Sequence, residues 1–434
     1  MAVCALCGPP AAAQAVAEQE DLQERLDALE QGIASYKQAQ SGDWLTPRRA
    51  AEIRALVADV IEDASTRASL LQDDDDEDED EDDVDAEWDD EFFIELETAD
   101  GEKYKLEIAG QIQFRHVYNR QEDMSGTDAN RAGFEARRTK LDIEGDINDW
   151  MFGVTLNFSD DTGTGVLNDA RIGYRFNDWW EVQVGRFRSA ILREEDVSSK
   201  RQLLVERSLV GREFDQGRND GIELKYRNDR FRMRGAVMDS SMFSDPEETW
   251  IFSGRAEWMV YGDDWSIFSD FSSFPDDGRG LMLGVGALYE KTEIDDDIDD
   301  DEDVYRWSAD ASLELSGWNV FAAIIGNHPM EEDDLERLDQ FGAVVQGGVF
   351  ITDKTELFGQ YQWGDTDGDF DDLSVVTVGV NHFIEGHDLK LTFDVGYGFN
   401  PVEGAWASGG AGWRKDEPEQ DGQVVARTQL QLLF

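Results

Sequence analysis

The sequence lacks any long apolar run. Over 434 residues, no stretch approaches the roughly 20 apolar residues that a membrane-spanning helix needs, and the mean hydropathy is −0.55. The longest apolar patches, 281–288 and 319–325, have only the length of a strand. These observations exclude a bundle of membrane helices. A chain of this kind can cross a membrane only as a closed β-barrel, because lipid leaves no other way to satisfy the backbone polar groups.

Basic residues are also scarce. The chain carries 39 Lys and Arg against 97 Asp and Glu, which gives a formal net charge of −58. Such an acidic surface repels phosphate backbones, so we expect no nucleic-acid partner. The excess of acids by itself identifies no ligand, since acidic side chains mainly solvate a protein surface or adapt it to a salty medium.

Cysteine is nearly absent. Cys4 and Cys7 are the only two, and the remaining 427 positions after Cys7 hold none, as suits an oxidising envelope compartment. Their Cys-x-x-Cys spacing has no second pair and no nearby histidine, so we expect no metal site there. The four histidines show no metal-ligand spacing, and no nucleophile-and-base pattern stands out. We therefore expect no cofactor and no enzymatic activity.

The first 90 residues differ in composition from the rest. Residues 1–15 resemble a degenerate or truncated export signal, without the usual basic start. Residues 16–72 predict a helical, coiled-coil-like periplasmic segment, which serves either as a trimerising stalk or as a short amphipathic helix. Residues 73–90 are nearly all acidic and predict an extended, disordered linker. The heptad-like spacing in the helical segment involves Leu22, Leu26, Leu29, Ile33 and Tyr36.

From Phe92 onward the pattern is typical of β-strands. In Lys105–Val117, apolar residues alternate with Lys, Glu, Gln and Arg, and the polar face of later strands also carries charges. A dry protein core does not tolerate so many charges, whereas the lumen of a membrane barrel does. Seventeen candidate strands follow from this alternation: 105–117, 131–147, 151–159, 166–176, 180–187, 219–227, 230–238, 249–260, 265–273, 280–290, 304–314, 317–327, 338–350, 354–363, 373–384, 388–399 and 423–434.

Further signals favour an all-β, transmembrane, antiparallel barrel over residues 91–434. Aromatic residues gather near strand ends as interfacial girdles do, short turns alternate with long acidic loops, and the last strand closes on Phe434. Because bacterial single-chain barrels have an even number of strands, we expect sixteen, or eighteen if 92–98 pairs as an extra strand. The expected location is the outer membrane, with the N-terminal segment in the periplasm.

The segment 188–218 breaks the strand rhythm. A long connection within a compact domain is usually functional or disordered. This one has apolar anchors and therefore predicts an ordered loop that folds into the lumen as a constriction. The anchors are Ile191, Leu192, Leu203, Leu204, Val205 and Leu209.

Five short motifs stand in and beside this segment: Val184-Gly-Arg-Phe-Arg188, Glu194-Glu195, Ser198-Ser199, Val205-Glu-Arg-Ser-Leu-Val210 and Arg218-Asn-Asp-Gly221. Their sequence and order resemble a known family, the phosphate-selective porins O and P. In one departure, Ala190 and Ile191 stand where the family pattern often has Pro-Phe. The resemblance implies a homotrimeric, sixteen-stranded porin for passive diffusion of small anions such as phosphate, with a basic constriction formed by its third long loop.

The distribution of charge supports a basic constriction. Residues 115–234 hold 21 basic and 22 acidic residues, whereas 235–434 hold 10 and 43. Rings of Arg and Lys select anions, and the guanidinium fork of Arg matches phosphate geometry. The candidate anion-binding residues of the constriction are Arg188, Arg193, Lys200, Arg201, Arg207, Arg212 and Arg218, and those of the pore wall are Arg115, Arg138, Lys140 and Arg171.

Other interpretations of the same residues remain open. If the cations pair with nearby carboxylates, they hold the loop in shape, and the pore is a general or cation-leaning porin with an acidic lumen. A further alternative is a structural barrel that anchors a periplasmic coiled coil. In each case, outer-membrane lipid and lipopolysaccharide are the expected surroundings.

Overall fold

The computed structural model describes residues 83–89, 91–97, 103–121, 129–159, 165–239, 248–293, 302–330, 339–366, 371–417 and 420–434. The predicted export signal and helical segment, 1–72, lie outside the described residues, as does most of the acidic linker. None of the helices in the described ranges is both long and apolar enough to cross a membrane.

The described residues form eighteen strands. In chain order they are β1 (Asp83–Asp89), β2 (Glu91–Glu97), β3 (Lys103–Arg120), β4 (Arg131–Ile147), β5 (Trp150–Asn157), β6 (Val166–Arg175), β7 (Trp180–Phe187), β8 (Asn219–Arg227), β9 (Phe231–Asp239), β10 (Glu248–Tyr261), β11 (Arg279–Glu293), β12 (Glu302–Leu315), β13 (Trp318–Met330), β14 (Gln340–Thr352), β15 (Thr355–Thr366), β16 (Leu373–Glu385), β17 (Leu389–Gly398) and β18 (Val424–Leu433).

Short helices occupy some of the connections. The α-helices are α1 (Arg193–Asp196) and α2 (Leu209–Glu213), and the 3-10 helices are Ser199–Arg201, Trp265–Phe268, Gly404–Trp406 and Gly409–Ala411. Two of the α- and 3-10 helices begin with a side-chain cap. Ser208 accepts a hydrogen bond from the Gly211 amide ahead of α2, and Asp264 accepts one from the Ser266 amide ahead of Trp265–Phe268.

Sixteen of the strands, β3–β18, close into an antiparallel barrel. Each strand pairs with its neighbour in sequence, and β18 pairs with β3 in a register that sets Leu432 opposite Ile112. The backbone amide of Phe434 donates to the Gly110 carbonyl at 3.1 Å. A side chain at Gly110 would collide with the Phe434 ring, so this glycine leaves room for the last residue of the chain. The prediction of sixteen strands is confirmed.

Two sequence-based predictions of local structure are wrong. Residues 265–273, predicted as a strand, form a 3-10 helix followed by irregular backbone. The side chains of Trp265, Phe268 and Phe271 are buried there, because the segment folds inward from the rim. The sequence of this segment partly alternates between apolar and polar residues, as the sequence of a strand does.

The acidic linker is the second correction. Part of the segment 73–90, predicted to be disordered, forms strand β1, which pairs antiparallel with β2. In turn β2 pairs with residues 103–108 of β3, on the edge that β18 leaves uncovered. Residues 92–98 thus contain an extra strand, but that strand lies outside the closed ring.

The outer surface of the barrel is apolar. Alternate residues of each strand are large, apolar and exposed, such as Ile172 on β6, Val285 on β11 and Val378 on β16. Aromatic side chains contact one another near the strand ends, including Trp150 with Tyr174 and Trp180 with Tyr226. An apolar band with aromatic girdles is the surface that lipid requires of a membrane barrel.

The inner surface differs between the two halves of the barrel. On β9–β16 several inward-facing residues are apolar and buried, including Met238, Ile251, Phe321 and Val344. On β4–β8 the inward-facing residues are mainly charged or polar. An apolar inner wall needs a partner to cover it, and the connection between β7 and β8, residues 188–218, supplies that partner.

Candidate functional site: a basic constriction in the lumen

The loop 188–218 is docked on the apolar inner wall. Its buried apolar side chains pack into one cluster with those of the wall. The wall also satisfies the backbone of the loop, since a buried carbonyl without a partner is costly. The guanidinium Nη1 of Arg255 and the hydroxyl of Ser308 both donate to the Ile191 carbonyl, at 2.8 and 2.6 Å. Further donors from the wall are Asn381 to Leu203 O at 2.9 Å, Lys390 to Gln202 O at 3.1 Å and Gln431 to Lys200 O at 3.0 Å.

Buried polar contacts hold the loop together internally. The Glu194 carboxylate accepts hydrogen bonds from the Ser208 amide at 2.7 Å and from its hydroxyl at 2.5 Å. Arg207 donates to the carbonyls of Glu194 and Val197, at 2.8 and 2.7 Å. Burial raises the pKa of Glu194 in spite of its two bonds from Ser208. The family-like pair Glu194 and Ser208 therefore fixes the two limbs of the loop against each other.

A single carboxylate, Glu206, collects four arginines. Its side chain is fully buried, and its oxygens lie 2.6 Å from Arg115, 2.7 Å from Arg137, 2.8 Å from Arg138 and 3.4 Å from Arg212. Burial by itself would raise the pKa of Glu206, but the charges of Arg138, Arg137 and Arg115 outweigh it and hold the pKa far below its usual range. Glu206 is therefore ionised, and the cluster keeps an excess of positive charge.

A β-bulge explains why two consecutive residues of β4 reach Glu206. The register between β3 and β4 shifts so that Gln113 lies opposite Arg138 and Phe114 opposite Ala136. Arg137 is the extra residue and has no partner position on β3. A bulge changes the direction of the side chain of such a residue. Both Arg137 and Arg138 thus face the lumen, although strict alternation would place them on opposite faces.

The open part of the lumen lies between the loop and the polar wall. It is a cavity of about 560 Å³ lined by 21 residues, of which ten are Arg or Lys and five are Asp or Glu. This net basic lining contrasts with the net charge of −58 for the chain. The cations are Arg137, Arg138, Lys140, Arg171, Arg188, Arg207, Arg212, Arg218, Lys225 and Arg234.

Seven of the eleven predicted site residues line this cavity: Arg138, Lys140, Arg171, Arg188, Arg207, Arg212 and Arg218. Most of them pair with carboxylates. Arg188 lies 2.7 Å from Glu195 and 3.0 Å from Asp215. Arg218 lies 3.0 Å from Asp169, and Arg171 pairs with Glu144.

Lys140 differs from these arginines. Across the ranges that the structure describes, no carboxylate oxygen lies within 4.0 Å of its ammonium nitrogen. It also lines an adjoining cavity of about 310 Å³ together with Lys200, Arg171 and Arg218. Lys140 therefore lines both cavities.

Three predicted site residues lie away from both cavities. Arg193 is buried, donates to the Asp270 carbonyl at 3.1 Å and lies 5.0 Å from the centre of the Phe271 ring. Arg201 donates to the Ser269 hydroxyl at 3.0 Å. Arg115 is buried between Glu206, Glu135 and the Gly410 carbonyl. These three hold the loop to its surroundings.

Sequence reasoning missed Glu206, Arg137, Lys225 and Arg234. Glu206 stands in the family-like stretch 205–210, but no local pattern shows that arginines of β3 and β4 converge on it. Strict alternation places Arg137 on the face opposite to Arg138, and a bulge leaves no reliable mark in a single sequence. Lys225 and Arg234 lie on inward-facing positions of strands that were predicted, so their alternation could have identified them.

Comparison with known proteins agrees with this geometry. The family model for the phosphate-selective porins O and P matches residues 108–398, about two thirds of the chain. The chain belongs to this porin family. It is thus an outer-membrane channel rather than an enzyme, and the resemblance seen in 184–221 is confirmed.

Relatives of this porin are distant in sequence. An uncharacterised protein of Aquifex aeolicus is 24% identical over 383 residues, covering 76% of this chain and 87% of the relative. Among solved structures, an anion-selective porin from Comamonas acidovorans is 11% identical with a TM-score of 0.53, covering 76% of this chain and all of that one. OmpT, an outer membrane protein of Vibrio cholerae, is 10% identical with a TM-score of 0.54, covering 76% and 98%. At such identities these structures support the barrel fold alone.

Proposed function

We propose that this porin carries small anions across the outer membrane by passive diffusion, with phosphate as the substrate that its family suggests. The supporting observation is the lining of the constriction cavity, where basic residues outnumber acidic ones two to one in a strongly acidic chain. The anion-binding residues are those that face this cavity, above all Lys140, Arg171, Arg212 and Arg218.

Guanidinium and ammonium groups replace the water that an anion loses at a narrow point. Conduction also requires that the anion leave again, so each binding position must be weak. The carboxylates of Asp169, Asp215 and Glu195, which pair with Arg218 and Arg188, moderate the attraction. An anion can then move along the wall from one cation to the next.

The orientation and assembly follow from the habits of such barrels. Short turns face the periplasm and long loops the exterior, so the loop 188–218 enters from outside and β1 and the N-terminal segment lie on the periplasmic side. We propose a homotrimer in contact with outer-membrane lipid and lipopolysaccharide. Residues 16–72 would then form its periplasmic coiled-coil segment.

Reversal potentials in planar bilayers under a salt gradient test the proposal. We expect the wild-type pore to prefer anions. Lys140→Glu exchanges a basic for an acidic side chain, which changes the charge of the cavity by two units. For an ion about 7 Å from this side chain in a water-like medium, we expect a roughly tenfold lower anion-to-cation permeability ratio.

The matched control is Lys354→Glu, the same change in the exposed turn between β14 and β15. It should leave the ratio at the wild-type value. A wild-type pore that prefers cations would overturn the anion assignment and favour the general, cation-leaning porin instead.

A further inference from the structure

Glu195 occupies an unusual position in the constriction. It lies on α1, lines the cavity and is only 5% exposed. Its Oε2 lies 2.7 Å from Arg188 and 3.5 Å from Arg207, whereas its buried Oε1 has no hydrogen-bond partner. Both oxygens of a buried carboxylate normally accept hydrogen bonds. Since only Oε2 has partners, the ionised form of Glu195 is less stable than that of a fully hydrogen-bonded carboxylate.

Neighbouring acids add to this instability. Arg188 is shared between Glu195 and Asp215, and Glu194 precedes Glu195 on the same helix. Burial, followed by the charge of Asp215 and then of Glu194, raises the pKa of Glu195 to about 7 against the opposing effects of Arg207 and Arg188. The next acid, Asp196, does not share this environment, because Arg234 pairs with it at 2.7 Å.

We propose that Glu195 is a specificity-determining residue of the constriction, and that its protonation strengthens the preference of the pore for anions. This inference rests on the proposed anion pathway. Below neutral pH the carboxyl is neutral, and the cavity gains one unit of positive charge relative to its ionised form. As the pH rises through neutrality the carboxyl ionises, and the preference falls.

The loop keeps its shape in both states. When Glu195 is neutral, Asp215 still holds Arg188, and the carbonyls of Glu194 and Val197 still hold Arg207. The proton therefore changes the charge of the cavity without releasing the loop. A carboxyl with this arrangement adjusts selectivity rather than opening or closing the pore.

The test compares wild type with Glu195→Gln in bilayers at 0.1 M salt, from pH 5.5 to 8. For wild type we expect the anion-to-cation permeability ratio to fall about threefold over this range, as one unit charge acting over about 7 Å would produce. Glu195→Gln resembles the protonated form, so its ratio should fall clearly less than that of wild type over the same range. Conductance steps show directly that the variant forms pores.

Glu213→Gln is the matched control. Burial also raises the pKa of Glu213 to about 7, but Glu213 faces Gln340 and Arg306 and does not line the cavity. This variant should keep the wild-type response, as should Glu195→Asp, which retains a carboxyl. Lys140 also faces the cavity, and any loss of its charge at higher pH would persist in Glu195→Gln.

A wild-type ratio that does not change with pH, or a fall of equal size in Glu195→Gln, would overturn the inference. So would a response that Glu213→Gln removes. If the pore prefers cations at every pH but its pH response is smaller in Glu195→Gln than in wild type, the anion pathway fails while the role of Glu195 as a charge-setting residue stands.

Discussion

Glu206 is an acid at the centre of a basic site. Four arginines converge on its buried carboxylate, and three of them, Arg137, Arg138 and Arg212, also line the cavity. Without that carboxylate, four guanidinium groups would repel one another at close range. Glu206 therefore holds together, beside the cavity, arginines that lie far apart in the sequence.

Replacing Glu206 by Gln should destabilise the barrel. Removing one partner of a buried ion pair leaves uncompensated charge and costs about 3–5 kcal/mol. Thermal unfolding of the purified porin measures the effect. It is monitored on a gel by the loss of the band that migrates as the folded barrel. Glu135→Gln is the matched control, because Glu135 pairs with Arg115 from a half-exposed position, where such pairs contribute about 1 kcal/mol or less. Equal losses in the two variants would contradict the central role of Glu206.

At the scale of elements, the docking of the loop 188–218 depends on small residues in the wall. A Cβ at Gly286 on β11 would collide with the Ile191 carbonyl, the group that Arg255 and Ser308 hold. Because that carbonyl belongs to backbone already fixed by two hydrogen bonds, it has little freedom to move aside. Gly286 therefore sets how closely the start of the loop approaches the wall.

Gly286→Ala should loosen the loop. Overpacking a close contact costs about 1–3 kcal/mol, and local opening should become easier by a similar amount. Amide hydrogen exchange of residues 191–210 should accelerate by about tenfold. Gly235→Ala on β9 is the control, since its nearest neighbour would be 3.9 Å away. Unchanged exchange in Gly286→Ala would show that this contact does not hold the loop.

The strands and the loop could be predicted from the sequence because each depends on a local pattern. Alternation correctly placed Arg138 and Lys140 in the lumen, and the break at 188–218 identified the constriction. The inward segment 265–273 was missed because Trp265, Ile267 and Phe271 are apolar at spacings of two and four residues, which also fit one face of a strand. Arg137 and the hub at Glu206 depend on a bulge and on contacts far apart in the chain, which no local pattern carries.

At the scale of the whole molecule, charge is separated between rim and constriction. The exposed acids Asp371, Asp372, Glu417 and Asp421 lie in the connections β15–β16 and β17–β18, at the end of the barrel from which 188–218 enters, whereas the cavity is basic. The exposed acids repel incoming anions over a distance that salt determines, about 30 Å at 0.01 M and 3 Å at 1 M. Buried cations are screened less. The same pore should therefore admit anions more readily, relative to bulk conductivity, in salty media.

Replacing Asp371, Asp372, Glu417 and Asp421 by their amides should raise anion conductance at 0.01 M salt and leave it unchanged at 1 M. Single-channel conductance at the two concentrations measures this, and the wild-type pore provides the reference. An equal increase at both concentrations would mean that the acids act by obstructing the mouth rather than by their charge.

The seam between β18 and β3 has a consequence for biogenesis. The first and last strands of the ring are about 300 residues apart, and Phe434 forms the final hydrogen bonds of the seam with Gly110. A partly synthesised chain would expose two unpaired strand edges, which lipid does not tolerate and which template aggregation. Contacts of such long range also form slowly. The ring can therefore close only after β18 has been made.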